Sequence, residues 1–288
     1  MAGSPVLDRL RNRAERLREH RWRTAAYVSS ERHVVMGGAP RSGTTLLRRI
    51  LDRHPRLCAG PETKLFVPAG SHLEWLAAGY DIPLPELGRM RRESRSQAAF
   101  IDAFAARVSR ASGKDRWVEK TPMNIRNLDW IVRHFPAVSI VHVIRDGRDV
   151  VCSMRQHPDW RWVDGHWEKV LVPRSLETYA GRWVADTGIG IGWRGDSRYV
   201  EVRYEELVTD PGPTLRRVCE AIGEEAEPAW LAEVQRPEPV TEGSDRPDDK
   251  GSISAASVGR WRAELSAAER GVVSRICGSR LRELGYEP

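Results

Sequence analysis

The chain has 288 residues, of which 40% are hydrophobic and 30% charged. This is the balance of a soluble globular protein, with length for one large α/β domain or two small ones. The net charge of +6 is uneven: residues 1–33 hold eight arginines and four acids, so the other 255 residues carry only +2 and lack the basic face of a nucleic-acid binder. No apolar run approaches the roughly 18 residues of a membrane span, and residues 1–10 have no apolar secretory segment. Cys58, Cys152, Cys219 and Cys277 lie far apart, with neither zinc nor disulfide spacing, which fits a reducing cytoplasm.

In chain order, Arg9 to Arg23 contains seven arginines, with Leu7, Leu10, Ala14 and Leu17 on one face of a short amphipathic helix. This arm, residues 1–33, packs on the body or serves as a membrane-surface or homo-oligomer contact. Residues 34–288 form a single domain. Val34–Gly37 is a first strand, followed by a glycine-rich turn and a helix from about Thr44 to Arg53. Residues 66–112 read as helices broken near Pro83-Leu84-Pro85, and Trp117-Val118-Glu119 as a short strand. Thr121-Pro122 opens a helix whose apolar face is Leu128, Ile131, Val132 and Phe135. Ser139–Ile144 is apolar enough to be a strand buried on both sides, and Asp146 starts the next helix. Trp160, Trp162, Trp167, Trp183 and Trp193 fall in residues 157–195, and the cluster Trp160–Trp167 serves as packing or as an aromatic wall for the acceptor. Tyr199–Val202 is another strand; Leu215, Val218, Cys219 and Ile222 mark a helix. Pro228 to Ser257 reads as one long loop, before a final helix from Ser266 to Leu284. Alternating strands and helices predict an α/β fold with a central parallel sheet flanked by helices, P-loop-like in its nucleotide-binding turn.

The chemistry is concentrated in two segments. Gly38 to Thr45 has the spacing of a phosphate loop, G-x-x-x-x-G-K-[ST], between strand and helix. Thr44 stands where that loop has its lysine, the residue that serves the β- and γ-phosphates of a triphosphate. A loop that keeps the cradle without the lysine fits a phosphorylated ligand other than ATP or GTP. Arg41 adds charge, Gly43 the turn, and Ser42, Thr44 and Thr45 hydroxyl donors. The second segment, Ile144-Arg145-Asp146-Gly147-Arg148-Asp149, sets Arg145 at the carboxyl end of a strand, with Ser153 two helical turns on. Arg145 and Ser153 together can hold one phosphate, or Arg145 pairs with Asp149.

Together the two segments resemble the sulfotransferases that use 3′-phosphoadenosine 5′-phosphosulfate (PAPS), in the Golgi-type and bacterial branch that includes tyrosylprotein sulfotransferases. The five lysines against 41 arginines also suit a GC-rich, bacterial genome. The resemblance extends thinly from Val34 to about Leu265. It implies that Arg-Ser-Gly-Thr-Thr, residues 41–45, holds the 5′-phosphosulfate and that Arg145 and Ser153 hold the 3′-phosphate, with Arg148, Arg155 or His157 as further neighbours. It implies no metal. Glu62, in Gly60-Pro61-Glu62-Thr63-Lys64, would be the general base and Lys120 would stabilise charge, with Arg41 sharing that task. The bland alternatives pair Glu62 with Lys64 and Lys120 with Glu119; His54 is a second candidate base. Tyr204 would meet the adenine, and Lys250 and Ser257–Trp261 would close over the nucleotide. The expected activity is transfer of a sulfuryl group to the hydroxyl of a small molecule, natural product or saccharide. A P-loop kinase-like phosphotransferase is opposed by Thr44 and by Arg145 where a metal-binding acid would stand. A non-catalytic nucleotide binder has no need of both Glu62 and Lys120.

Overall fold

The computed structural model describes residues 13, 17–68, 72–163, 166–236 and 253–287. Five strands form one parallel sheet in the order β2-β3-β1-β4-β7, and β5 and β6 form a separate antiparallel ribbon. In chain order the elements are β1 (Val34–Gly38), α1 (Thr44–Asp52), β2 (Leu57–Cys58), α2 (Leu73–Tyr80), α3 (Leu84–Glu93), α4 (Gln97–Ser112) and β3 (Arg116–Lys120). A 3₁₀ turn (Pro122–Asn127) leads into α5 (Leu128–His134), then come β4 (Ser139–Ile144), α6 (Gly147–Arg155), β5 (Asp159–Val163), β6 (His166–Val170) and α7 (Leu176–Ile191). The rest is β7 (Tyr199–Arg203), α8 (Tyr204–Thr209), α9 (Pro211–Ile222), α10 (Pro228–Val234), a short 3₁₀ turn (Ala255–Ser257), α11 (Trp261–Glu264) and α12 (Ala267–Glu283).

β1, β3 and β4 are buried at every position, which explains why their sequences do not alternate. One face of the sheet is covered by α1, α9 and α10 through Leu47, Ile50, Leu51, Leu215, Val218 and Trp230. The other is covered by α2 to α5 through Leu76, Phe100, Phe104 and Ile131. A third cluster joins α6, α7 and α12 through Val150, Trp183, Cys277 and Leu281. The N-terminal segment, where described, lies on the body: Trp22 donates to the Ser94 carbonyl at 3.1 Å and packs on Phe100, and Ser29 N–H donates to the His134 carbonyl at 2.7 Å. Leu7, Leu10 and Ala14 lie outside the described residues.

The structure departs from the sequence reading in several elements, the β5–β6 ribbon among them. The helix opened by Thr121-Pro122 begins as a 3₁₀ turn and becomes α-helical only at Leu128, because Asn124 is tied sideways to the Met36 carbonyl at 3.0 Å. The expected loop from Pro228 starts as a helix whose Trp230, Leu231 and Val234 are buried. The edge strand β2 and the long helix α7 were not foreseen. The break at Pro83 falls between α2 and α3 as expected.

Candidate active site

The parallel sheet ends its central strands β1 and β4 side by side, so the loops that follow them meet at one edge. After β1 the chain turns through Arg41 in a left-handed conformation (φ 70°) and enters α1 at Gly43 (φ 98°). A Cβ on Gly43 would sit 2.4 Å from the Tyr204 ring, so this turn needs glycine both for its backbone angle and for its space. No acid occupies the first turn of α1, which leaves its positive end uncompensated by the helix's own side chains.

After β4, Arg145 is 5% exposed. Its guanidinium donates to the Ser257 carbonyl at 2.5 Å, lies 4.3 Å over the Tyr204 ring and stands 3.8 Å from Asp149. Arg41 Nε donates to Ser153 Oγ at 3.1 Å, so the two predicted anion-holding segments touch. Asp146 caps α6 and takes the Arg148 guanidinium, which stacks on Trp261 at 4.0 Å. Arg155 is spent on Glu269 at the surface, 3.1 Å away. Of the three proposed neighbours of the second site, only His157 lines the cavity.

That cavity has a volume of about 660 Å³ and is lined by Arg41, Gly43, Thr44, Thr45, Glu62, Arg145, Ser153 and Tyr204 among the sequence candidates. Ser257 and Arg260, from the segment expected to close over the nucleotide, also line it, and Arg49, Met123 and Arg182 join them with no sequence signal of their own. Ser42 Oγ, in the loop, and Arg145 Nε are buried polar atoms with no hydrogen-bond partner. Such orphans are expected where a polar ligand completes the bonding.

Lys120, at the end of β3, is almost fully buried and donates to Glu62 Oε1 at 2.7 Å and to Thr45 Oγ1 at 3.3 Å. The Glu62 side chain is 31% exposed, so it remains reachable from the cavity. Lys120 therefore meets Glu62 and not Glu119, which points to the opposite face of β3. Lys64 lies 4.6 Å over the Trp75 ring; burial lowers its pKa and the nearby Glu62 charge raises it. The backbone at Pro61 and Glu62 is held by α2, where Trp75 Nε1 donates to the Glu62 carbonyl at 2.5 Å and the Tyr80 hydroxyl to the Pro61 carbonyl at 2.7 Å. His54 is elsewhere. Its Nδ1 accepts from Arg56 N–H, its Nε2 bonds the Glu225 carbonyl, and its ring meets Trp230 edge-on. Lys250 and the side chains of Trp160, Trp162 and Trp167 lie outside the described residues; Trp183 is packed in the core and donates to the Arg145 carbonyl at 3.0 Å.

Among the described residues no helix is long and apolar enough to cross a membrane. A family model described as the sulfotransferase family matches residues 33–228. The nodulation protein NoeE of Sinorhizobium fredii is 29% identical over 277 residues, covering 87% of this chain and 65% of NoeE. Protein-tyrosine sulfotransferase 1 of Homo sapiens is 32% identical over 137 residues, covering 46% of this chain and 36% of that protein. The chain thus spans less than two thirds of the length of these relatives. Among solved structures, the sulfotransferase domain of the Synechococcus PCC 7002 olefin synthase superposes with a TM-score of 0.62 at 20% identity, over 92% of this chain and 98% of that one. Mouse sulfotransferase SULT7A1 complexed with PAP gives 0.57 at 14% identity, over 90% and 87%. These two likenesses concern the fold.

Proposed function

Because the chain belongs to the sulfotransferase family, we propose that it moves the sulfuryl group of PAPS to an acceptor hydroxyl. The observation that carries this reading is one cavity lined by Arg41, Gly43, Thr44 and Thr45, by Arg145 and Ser153, and by Glu62. The unpartnered Ser42 Oγ and Arg145 Nε fit a ligand with two separate anionic groups. Arg41, Ser42, Gly43, Thr44 and Thr45 would hold its 5′ end. Arg145 and Ser153 would hold its 3′-phosphate, and Tyr204, with Lys250, the rest of the nucleotide. When bound, PAPS supplies an activated sulfuryl group with a phosphate as leaving group.

The residues around that group divide the work. Glu62 accepts the proton of the acceptor hydroxyl, a contribution on the order of 10²–10⁴ in rate. Lys120, held at 2.7 Å from Glu62 and 3.3 Å from Thr45, lies where it can donate to charge developing beside the loop. Arg41 shares that role. The similarity to a protein-tyrosine sulfotransferase supports a hydroxyl acceptor, carried in this reading by a small molecule, a natural product or a saccharide. All four cysteines are buried free thiols, which supports the cytoplasmic location read from their spacing.

The test is thermal melting with 3′-phosphoadenosine 5′-phosphate (PAP) against ATP with Mg²⁺. A ligand at about 100 times its Kd adds about 2.7 kcal/mol, a rise of about 5–10 °C in Tm for a chain of this size. PAP should give that rise and ATP-Mg²⁺ little; equal shifts would favour a kinase-like phosphotransferase. A [³⁵S]PAPS transfer screen across phenols, saccharides, lipids and tyrosine peptides then identifies the acceptor.

A further inference from the structure

Glu119 is completely buried and immediately precedes Lys120. Its Oε1 accepts from Thr63 N–H at 3.1 Å, Thr63 Oγ1 at 2.7 Å and Thr121 Oγ1 at 2.7 Å, and its Oε2 accepts from Asn124 Nδ2. Thr63 is the residue after Glu62. Two consecutive residues of the loop therefore dock on two consecutive residues of β3: Glu62 on Lys120, and Thr63 on Glu119. Strand alternation sends Lys120 towards the cavity and Glu119 away from it, so one dipeptide grips the loop from both faces of the sheet. The same network reaches further. Thr121 Oγ1 accepts from Lys64 N–H at 3.1 Å, Thr63 Oγ1 from Leu65 N–H at 3.2 Å, and Asn124 Nδ2 also donates to the Met36 carbonyl of β1. Burial pushes the Glu119 carboxyl up from its ordinary range, and the Thr121, Asn124 and Thr63 donors pull it back. Removing one partner from such a network leaves buried groups unsatisfied.

We infer that Glu119 is the positioning residue that fixes the Glu62 carboxylate against the Lys120 ammonium, and so sets the base and the charge-stabilising group in register. The inference rests on the proposed function for its catalytic meaning, but the ordering itself is read without turnover. Only five lysines are present in the chain, so ¹⁵N-lysine labelling gives few ammonium signals. A buried, ion-paired ammonium exchanges slowly with water; in the parent this signal is assigned to Lys120 by its loss in Lys120→Arg. Glu119→Gln sets an amide NH₂ against the Asn124 NH₂. Flipping Asn124 to relieve this turns its oxygen towards the Met36 carbonyl. The Lys120 signal should vanish in Glu119→Gln and in Thr63→Val and return in Thr63→Ser. The PAP Kd should stay within about threefold of the parent, well under the tenfold of a lost 1.4 kcal/mol contact.

Persistence of the signal in folded Glu119→Gln overturns the inference. So does its absence from the parent, or a PAP Kd weakened by tenfold or more, which marks general collapse of the site. If Glu119→Gln does not fold, the Thr63→Val and Thr63→Ser pair carries the test. A parent that does not bind PAP sinks the proposed function. In that case the Lys120 signal, with Tm as the control for folding, still decides the role of Glu119.

Discussion

Arg145→Ala is the sharpest test of the second anion site. The guanidinium it removes is 5% exposed and already held at the Ser257 carbonyl and over Tyr204, with Nε unspent, so it is ordered before any ligand arrives. A hydrogen bond to a charged group contributes about 1.5–3 kcal/mol. Two such bonds at the low end of that range amount to about 3 kcal/mol, or about 100-fold in Kd. Isothermal titration with PAP and with 5′-AMP separates the role from general damage, since AMP lacks the 3′-phosphate. PAP affinity should fall about 100-fold, while AMP affinity changes little. The fold should survive, because Asp149 keeps its bonds from Gly259 N–H at 2.8 Å and Trp261 N–H at 3.0 Å. A Tm loss of a few degrees is expected for about 1 kcal/mol of lost contact. Equal losses for PAP and AMP would refute the assignment, as would an unchanged PAP Kd in a variant of normal Tm.

Three further outcomes are expected. Glu62→Gln should keep PAP binding and lose turnover by about 10²–10⁴ with the acceptor that the transfer screen returns; turnover at the parent rate removes Glu62 as the base. His142 is fully buried, with Nδ1 2.6 Å from the Tyr199 hydroxyl, which donates on to Glu201, and burial pushes its pKa down to about 3. Unfolding frees it to take a proton below about 6.5, so stability is full above that pH and falls as pH drops towards 3, by about 2 kcal/mol at pH 5. Urea unfolding should show this slope flattened in His142→Asn, and an identical slope in both proteins would exclude His142 as its source. Gly190→Ala should destabilise strongly, since its Cβ would lie 2.2 Å from the His142 ring; an unchanged urea midpoint would contradict the packing.

The parts legible in the sequence were those whose signal is local. The loop at Gly38–Thr45 has fixed spacing, the β4 run Ser139–Ile144 is continuously apolar, and Arg145 and Ser153 are separated by two helical turns. Their meeting through Arg41 and Ser153 followed from fold logic alone. What depended on contacts between distant residues was not legible. Lys120 was weighed against its neighbour Glu119, yet alternation along β3 puts the two on opposite faces and hands each to a different residue of the Glu62-Thr63 pair. β2 has two residues, too few for any periodicity. α7 carries Gly181, Gly188 and Gly190, which weaken helix propensity; Gly190 is there because the His142 ring fills the space beside it. α10 hides in a Pro- and Glu-rich stretch and is held by burial of Trp230, which the local pattern does not reveal.

The contact between Gly43 and Tyr204 also constrains how such a chain can change over generations. With the Tyr204 ring in place, a side chain at position 43 is blocked by 2.4 Å sterics and by a φ of 98° at once. Loss of the ring would lift only the first barrier, and would strip Arg145 of its aromatic partner in the same step. The two positions, 161 residues apart, are epistatic. A lineage that abandons the tyrosine first can wander at its nucleotide pocket yet still cannot replace the glycine, whereas one that replaces the glycine first loses the loop outright. Drift at this site therefore has a permitted order, and Gly43 is the residue expected to move last.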